Sequence, residues 1–240
     1  MSREIVRESF SVYFKKFKLF LVPGLLCFLC MLVAVKLVTV DLSNFNVLLI
    51  DCATELVMSF VFLIPCIAIY CEKKPLGAIR ENAKALLAVV AVKAIVMTLV
   101  TYVSRVVSLS EIALVRSFFS LVVGVVQTSL AILLTAVFHP IIKDGLSAIS
   151  AARDVLKAFF GDIGESIVLC VKTAFWLFIY CILPMIIYLL LFTVMLIIFA
   201  NDLPEGVILA IALSGAAAII VPLYTVQYVV YCKCYETLKK

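Results

Sequence analysis

The chain has 240 residues, of which 66% are hydrophobic and only 15% charged. Ordinary soluble domains run roughly half apolar and a quarter charged, so this composition excludes a water-soluble globular protein. The net charge of +5 sits in short segments between apolar runs, which speaks of membrane topology and not of nucleic-acid binding.

In chain order, Ser2 to Lys18 is charged and reads at helical spacing. Val6, Phe10, Tyr13, Phe14 and Phe17 share a face, opposite Arg3, Arg7, Glu8, Ser11 and Lys15. The apolar run behind it is long enough to span a bilayer, and the pattern is not that of a cleavable signal. Six apolar runs follow one another: Leu19–Val40, Val47–Cys71, Ala85–Leu109, Ile112–Phe138 closed by His139-Pro140, a run within Ile163–Ala200, and Val207–Cys232. Backbone in lipid must satisfy its own hydrogen bonds, so each is expected to be helical. The fifth is too long for one upright span. Ser166 to Phe199 is 34 residues, about 51 Å at helical rise against a hydrocarbon core of about 30 Å. With Pro184 in mid-run, a kinked, strongly tilted or partly interfacial helix is expected.

The fold expected is therefore an all-α integral membrane protein, one membrane domain over 1–240 with six transmembrane helices. Lysine and arginine alternate along it. The N-terminal segment carries Arg3, Arg7, Lys15, Lys16 and Lys18, and the segment after the second run Lys73, Lys74, Arg80 and Lys84. Lys143, Arg153 and Lys157 follow the fourth run, and Lys233, Lys239 and Lys240 the sixth. The intervening turns "DLSNFN" and "NDLPEG" have none. Basic loops stay inside, which predicts a multi-pass cell-membrane protein with both termini cytoplasmic.

Three basic segments precede the odd-numbered spans and resemble one another. "KKPLGAIRENAK" (Lys73 to Lys84) aligns with "KDGLSAISAARD" (Lys143 to Asp154), and Val6-Arg7-Glu8 with Ile79-Arg80-Glu81. Ile79, Ala83, Leu86, Leu87 and Val90 are expected on one face of the second segment, and Leu146, Ile149, Ala152, Leu156 and Phe159 on one face of the third. Pro75 and Gly145 are read as helix starts. Each segment reads as an amphipathic interfacial helix. Three repeats follow, 1–72, 73–142 and 143–240, each an interfacial helix plus a hairpin; convergent composition of basic linkers is the competing reading. Arg7, Lys15, Lys16, Lys73, Lys74, Arg80, Lys84, Arg153 and Lys157 are the expected membrane-surface contacts, with the lipid bilayer and its anionic headgroups as partners.

On these segments, "IVRESFSVYFKKFKLFLVPGLL" and "PLGAIRENAKALL" above all, the chain resembles stand-alone polytopic proteins related to the membrane domain that precedes the catalytic barrel in some bacterial glycerophosphodiester phosphodiesterases. The resemblance implies an architecture. The catalytic barrel is absent here, so it implies no phosphodiesterase activity.

Ionisable groups inside spans are functional candidates. Asp51 and Glu55, spaced i, i+4, share a face of the second span, and Lys36, at comparable depth on the first, is the expected ion-pair partner of one of them across this hairpin. Lys93 lies deeper, and Glu165 or a polar group of another helix is its expected partner. Lys36, Asp51, Glu55 and Lys93 read either as ion pairs fixing helix register or as a cation, proton or solute site. Arg105 and Arg116 read as headgroup anchors.

Of the nine cysteines, Cys27 and Cys30 have redox spacing and Cys232 and Cys234 could chelate weakly, but apolar packing is the simpler role. His139, the single histidine, reads as a capping or interfacial residue. No phosphate-cradling loop, zinc-protease motif or nucleophile elbow occurs, so neither catalytic residues nor a metal or cofactor is expected. A scaffold or accessory subunit, docking another membrane protein or itself, is the leading expectation. A small-solute or ion transporter, or the substrate-binding subunit of one, is the alternative. Lipid chemistry at the membrane surface is a weaker third, opposed by the missing acid/base cluster.

Overall fold

The apolar runs are helical and carry Pro23, Pro140, Pro184 and Pro222 inside their helices. The computed structural model describes residues 2–38, 44–108, 113–199 and 205–239, and every regular element among them is helical. Helix α1 (Ser2–Lys15) leads into α2 (Phe17–Val38). Helix α3 (Asn44–Met58), a π segment (Ser59–Leu63) and α4 (Ile64–Tyr70) form one rod. The short α5 (Pro75–Glu81) precedes α6 (Ala83–Ser108), which pairs with α7 (Ala113–Asp144). Helix α8 (Ala148–Gly161) precedes the last hairpin, α9 (Ile163–Phe199) and α10 (Glu205–Leu238).

Among the described residues, four stretches are long and apolar enough to cross a membrane: Asn46–Tyr70, Ala83–Val107, Arg116–Asp144 and Ile163–Tyr180. Phe17–Cys30 and Ile186–Met195 are shorter apolar helical stretches. The chain is thus an all-α membrane protein. Residues 41–43 of "DLSNFN", residues 201–204 of "NDLPEG", and Glu111 lie outside the described residues, while Asn44 to Asn46 begin α3.

Pro65 accounts for the π segment. It has no N–H, and its ring would crowd the Val61 carbonyl in α register. The chain widens instead, and the Ile64 N–H bonds back to Ser59 O, five residues earlier. The rod ends in a Schellman turn. Lys73 N–H donates to Ala68 O at 2.8 Å and Glu72 N–H to Ile69 O at 3.2 Å. Glu72 takes the left-handed position, at φ 61°, where glycine is the usual residue.

The fourth apolar run does not close at His139-Pro140. Helix α7 carries Pro140 in its interior and continues to Asp144. Gly145, at φ 70°, is its C-terminal cap and not the start of the next helix; its N–H donates to Ile141 O at 3.1 Å. Helix α8 starts instead at Ser147, whose hydroxyl accepts from the Ser150 N–H at 3.3 Å. Helix α9 is a single element of 37 residues with Pro184 inside it.

The three basic segments differ from the expected faces in detail. Helix α1 packs on α9 and α10; its Ile5, Val6, Ser9 and Tyr13 are buried, the last against Phe20 of α2, while Phe14 is exposed. The second segment is broken at Asn82, the cap of α5; Leu86 and Val90 are buried, but Leu87 is exposed and Ala83 also lies outside. In α8 the buried face is Ala151, Val155 and Phe159, whereas Ile149 is 81% exposed and Leu156 points outward. The stripe that α8 turns inward, where it meets α7 and α10, is offset from the side that carries Ile149 and Leu156.

Helix α10 is the hub and touches α1, α2, α4, α7, α8 and α9. The core gathers around its last four turns, where Val226, Val229, Val230, Cys232 and Tyr235 meet Phe62 to Ile69 and Phe138 to Ile142. This end, the basic end, also carries α1, α5 and α8.

Candidate functional site

Two groups of charges stand out. The first lies between α3 and α6, which pack antiparallel. Lys93 Nζ donates to Glu55, and the Arg105 guanidinium lies 2.8 Å from Asp51 Oδ2 and 3.2 Å from Oδ1. Asp51 and Glu55 are one helical turn apart, about 6 Å, whereas Lys93 and Arg105 are separated by about 18 Å of α6. The lengths of the four side chains bridge the difference, since both pairs are made. The Lys93 side chain is 7% exposed and that of Glu55 33%. Charges here are costly unless paired, and two carboxylates against two cations leave no net charge.

Glu55 is thus the other-helix partner of Lys93. Glu165 is elsewhere, with its N–H bonded to the Asp162 carboxylate at 2.9 Å at the start of α9. Arg105, read from the sequence as a headgroup anchor, is the partner of Asp51. Lys36 lies on α2, and its side chain falls outside the described residues.

The second group lies at the basic end. Glu236, near the end of α10, accepts from Tyr70 Oη at 2.7 Å and Lys143 Nζ at 2.7 Å, with His139 Nε2 at 3.1 Å. Four helix-borne side chains from α4, α7 and α10 converge because all three elements end here. His139 is almost fully buried, its ring flanked by Tyr70 and Tyr235 at 6.0 and 5.6 Å between centroids. It is a core residue and not a cap. The neighbouring His139 ring nitrogen, then Lys143 and Tyr70, hold the Glu236 carboxyl well below the usual carboxylate range, although burial opposes this. Glu8 of α1 pairs with Lys233 of α10 at 2.6 Å, which lowers its pKa. Lys16 donates to Ile69 O and to Glu72 Oε1, each at 3.1 Å. These contacts tie α1 and the start of α2 to α4 and α10.

The expected surface cations fall on the rim of this end. Arg7, Lys15, Lys74, Arg80, Lys84, Arg153 and Lys157 are exposed; Lys16 and Lys73 are half-buried. In the sequence Glu236 is one glutamate in a mixed-charge tail, a pattern that carries no signal of its role. Eight described cysteines are free thiols, and no group of three metal-ligating side chains occurs among the described residues.

No protein-family model, curated protein or solved structure matches this chain.

Proposed function

We propose that the chain is a non-enzymatic scaffold or accessory subunit of a membrane complex. In this reading it has six spans in three units, 1–72, 73–142 and 143–240, with the basic end and both termini on the cytoplasmic side of the cell membrane, the arrangement that the phosphodiesterase-domain resemblance also implies. The single observation that carries the reading is the pairwise cancellation of charge between α3 and α6. A cation or proton carrier needs a carboxylate free to exchange its partner; here each carboxylate is held by a fixed cation of a neighbouring helix. The lysines and arginines left on the rim suit contact with an anionic leaflet.

Mild-detergent solubilisation from native membranes, followed by sizing and protein identification, tests it. A defined assembly with another membrane protein or with further copies of the chain is expected. Recovery solely as a monomer overturns the scaffold reading. Solute uptake that is abolished by Glu55→Gln with Lys93→Met, in protein that stays folded, would favour the transporter alternative.

A further inference from the structure

A groove of about 610 Å³ runs along the outside of the bundle between α2 and the π segment and α4. Its volume falls in the range of small-ligand sites, roughly 300–1,000 Å³. The upper part is apolar, with Leu19, Val22 and Leu26 of α2 on one side and Val61 of the π segment on the other. Pro23, inside α2, and Pro65, in the first turn of α4, line it as well. Leu19, Val22 and Leu26 are 60%, 62% and 44% exposed, so the groove opens sideways, where hydrocarbon chains lie.

At the basic end its character changes abruptly. The mouth is lined by Lys16, Lys73 and Lys74, with a single carboxylate, Glu72. Glu72 is engaged by Lys16, which also caps the Ile69 carbonyl. Among the described residues Lys73 and Lys74 have no ion-pair partner. The Schellman turn holds both at the mouth, directly after the left-handed Glu72. An apolar trough that opens to lipid and ends in two unneutralised ammonium groups fits one kind of molecule, in which a hydrocarbon chain is joined to an anionic phosphate.

We propose that this groove binds an anionic glycerophospholipid, with an acyl chain along Val22, Leu26 and Val61 and the phosphate against Lys73 and Lys74. The inference rests on the basic end facing an anionic leaflet. It does not depend on the scaffold role, because lipid retention and partner capture are read separately. The site is a defined one and not the general attraction of a basic surface, since the groove and its two lysines are continuous.

Native mass spectrometry of the purified chain, exchanged into micelles containing phosphatidylglycerol or phosphatidylcholine, tests it. We expect retention of phosphatidylglycerol over phosphatidylcholine. Lys73→Gln with Lys74→Gln should reduce that preference about tenfold or more, given the usual strength of lysine–anionic lipid attraction. Val61→Trp should obstruct the trough and lower retention of the lipid with both lysines intact. Lys84→Gln with Lys157→Gln, which alters rim cations outside the groove, should leave the preference unchanged. An equal loss in that control would mean diffuse surface charge and overturn the site. So would an unchanged preference in the Lys73/Lys74 variant. Inorganic phosphate at millimolar concentration should not displace the lipid; displacement would make this a free-phosphate site and overturn the lipid assignment. Thermal unfolding of each variant separates loss of binding from loss of fold.

Discussion

Removing Glu55 should cost more than removing both Glu55 and Lys93. In Glu55→Gln the Lys93 ammonium, on a side chain only 7% exposed, is left in the interior about 15 Å beyond the start of α6 at helical rise. Breaking a buried pair costs about 3–5 kcal/mol, because the surviving charge is uncompensated. Lysine can partly relieve this by reaching toward the membrane surface, so the lower end, about 3 kcal/mol, is expected. Lys93→Met strands a carboxylate that is already a third exposed, and about 1–2 kcal/mol is expected from the same reasoning. The double variant removes both desolvated charges and should lie within about 1 kcal/mol of the natural protein. The cycle should therefore close at least about 2 kcal/mol short of additivity. Denaturant-driven unfolding in mixed micelles, followed by far-UV circular dichroism, measures all four corners. A double variant as unstable as the sum of the singles would refute a direct pair and the structural role assigned to it.

Glu236 gives a signed pH dependence. Its folded pKa lies below its ordinary value of 4.5, so its contribution is complete at neutral pH and is lost progressively as pH falls below about 4.5. Melting temperature should drop more steeply between pH 5 and 3 in the natural protein than in Glu236→Gln, which should already be about 2 kcal/mol less stable at pH 7; parallel pH curves would contradict the arrangement. Gly215→Ala should destabilise by about 1–3 kcal/mol, since a methyl there would overlap the Tyr188 ring across α9 and α10. Gly124→Ala, with open space around it, should be neutral or stabilise by up to about 1 kcal/mol; equal effects in thermal melts would argue against that helix contact. Glu72→Gly should gain about 1 kcal/mol by relieving the left-handed backbone, more than the exposed Lys16 pair contributes. Glu72→Ala should lose the pair without that relief, so a melt ranking alanine above glycine would refute the turn assignment.

Features set within one element could be read in advance. The excess of apolar residues dictates membrane helices because backbone in lipid has no other partner. The i, i+4 spacing of Asp51 and Glu55 places them together on a single helix whatever the tertiary arrangement. The basic segments are visible as charge alone. The partners of the carboxylates were not legible. Lys93 and Arg105 lie 38 and 54 positions from Glu55 and Asp51, and only the packing of α3 on α6 sets them opposite. Glu236 draws Lys143 and Tyr70 from 93 and 166 positions away.

The buried faces of the basic helices show the deeper reason. In water an outward isoleucine is penalised, so periodicity reveals the core face. In the interfacial position proposed for these helices an apolar side chain is welcome on either side, and the pattern loses that meaning. Hydropathy thus determined that this chain lives in a bilayer and where its helices run. Only tertiary packing decided that Ala151, Val155 and Phe159 turn inward while Ile149 faces out, and which charges meet.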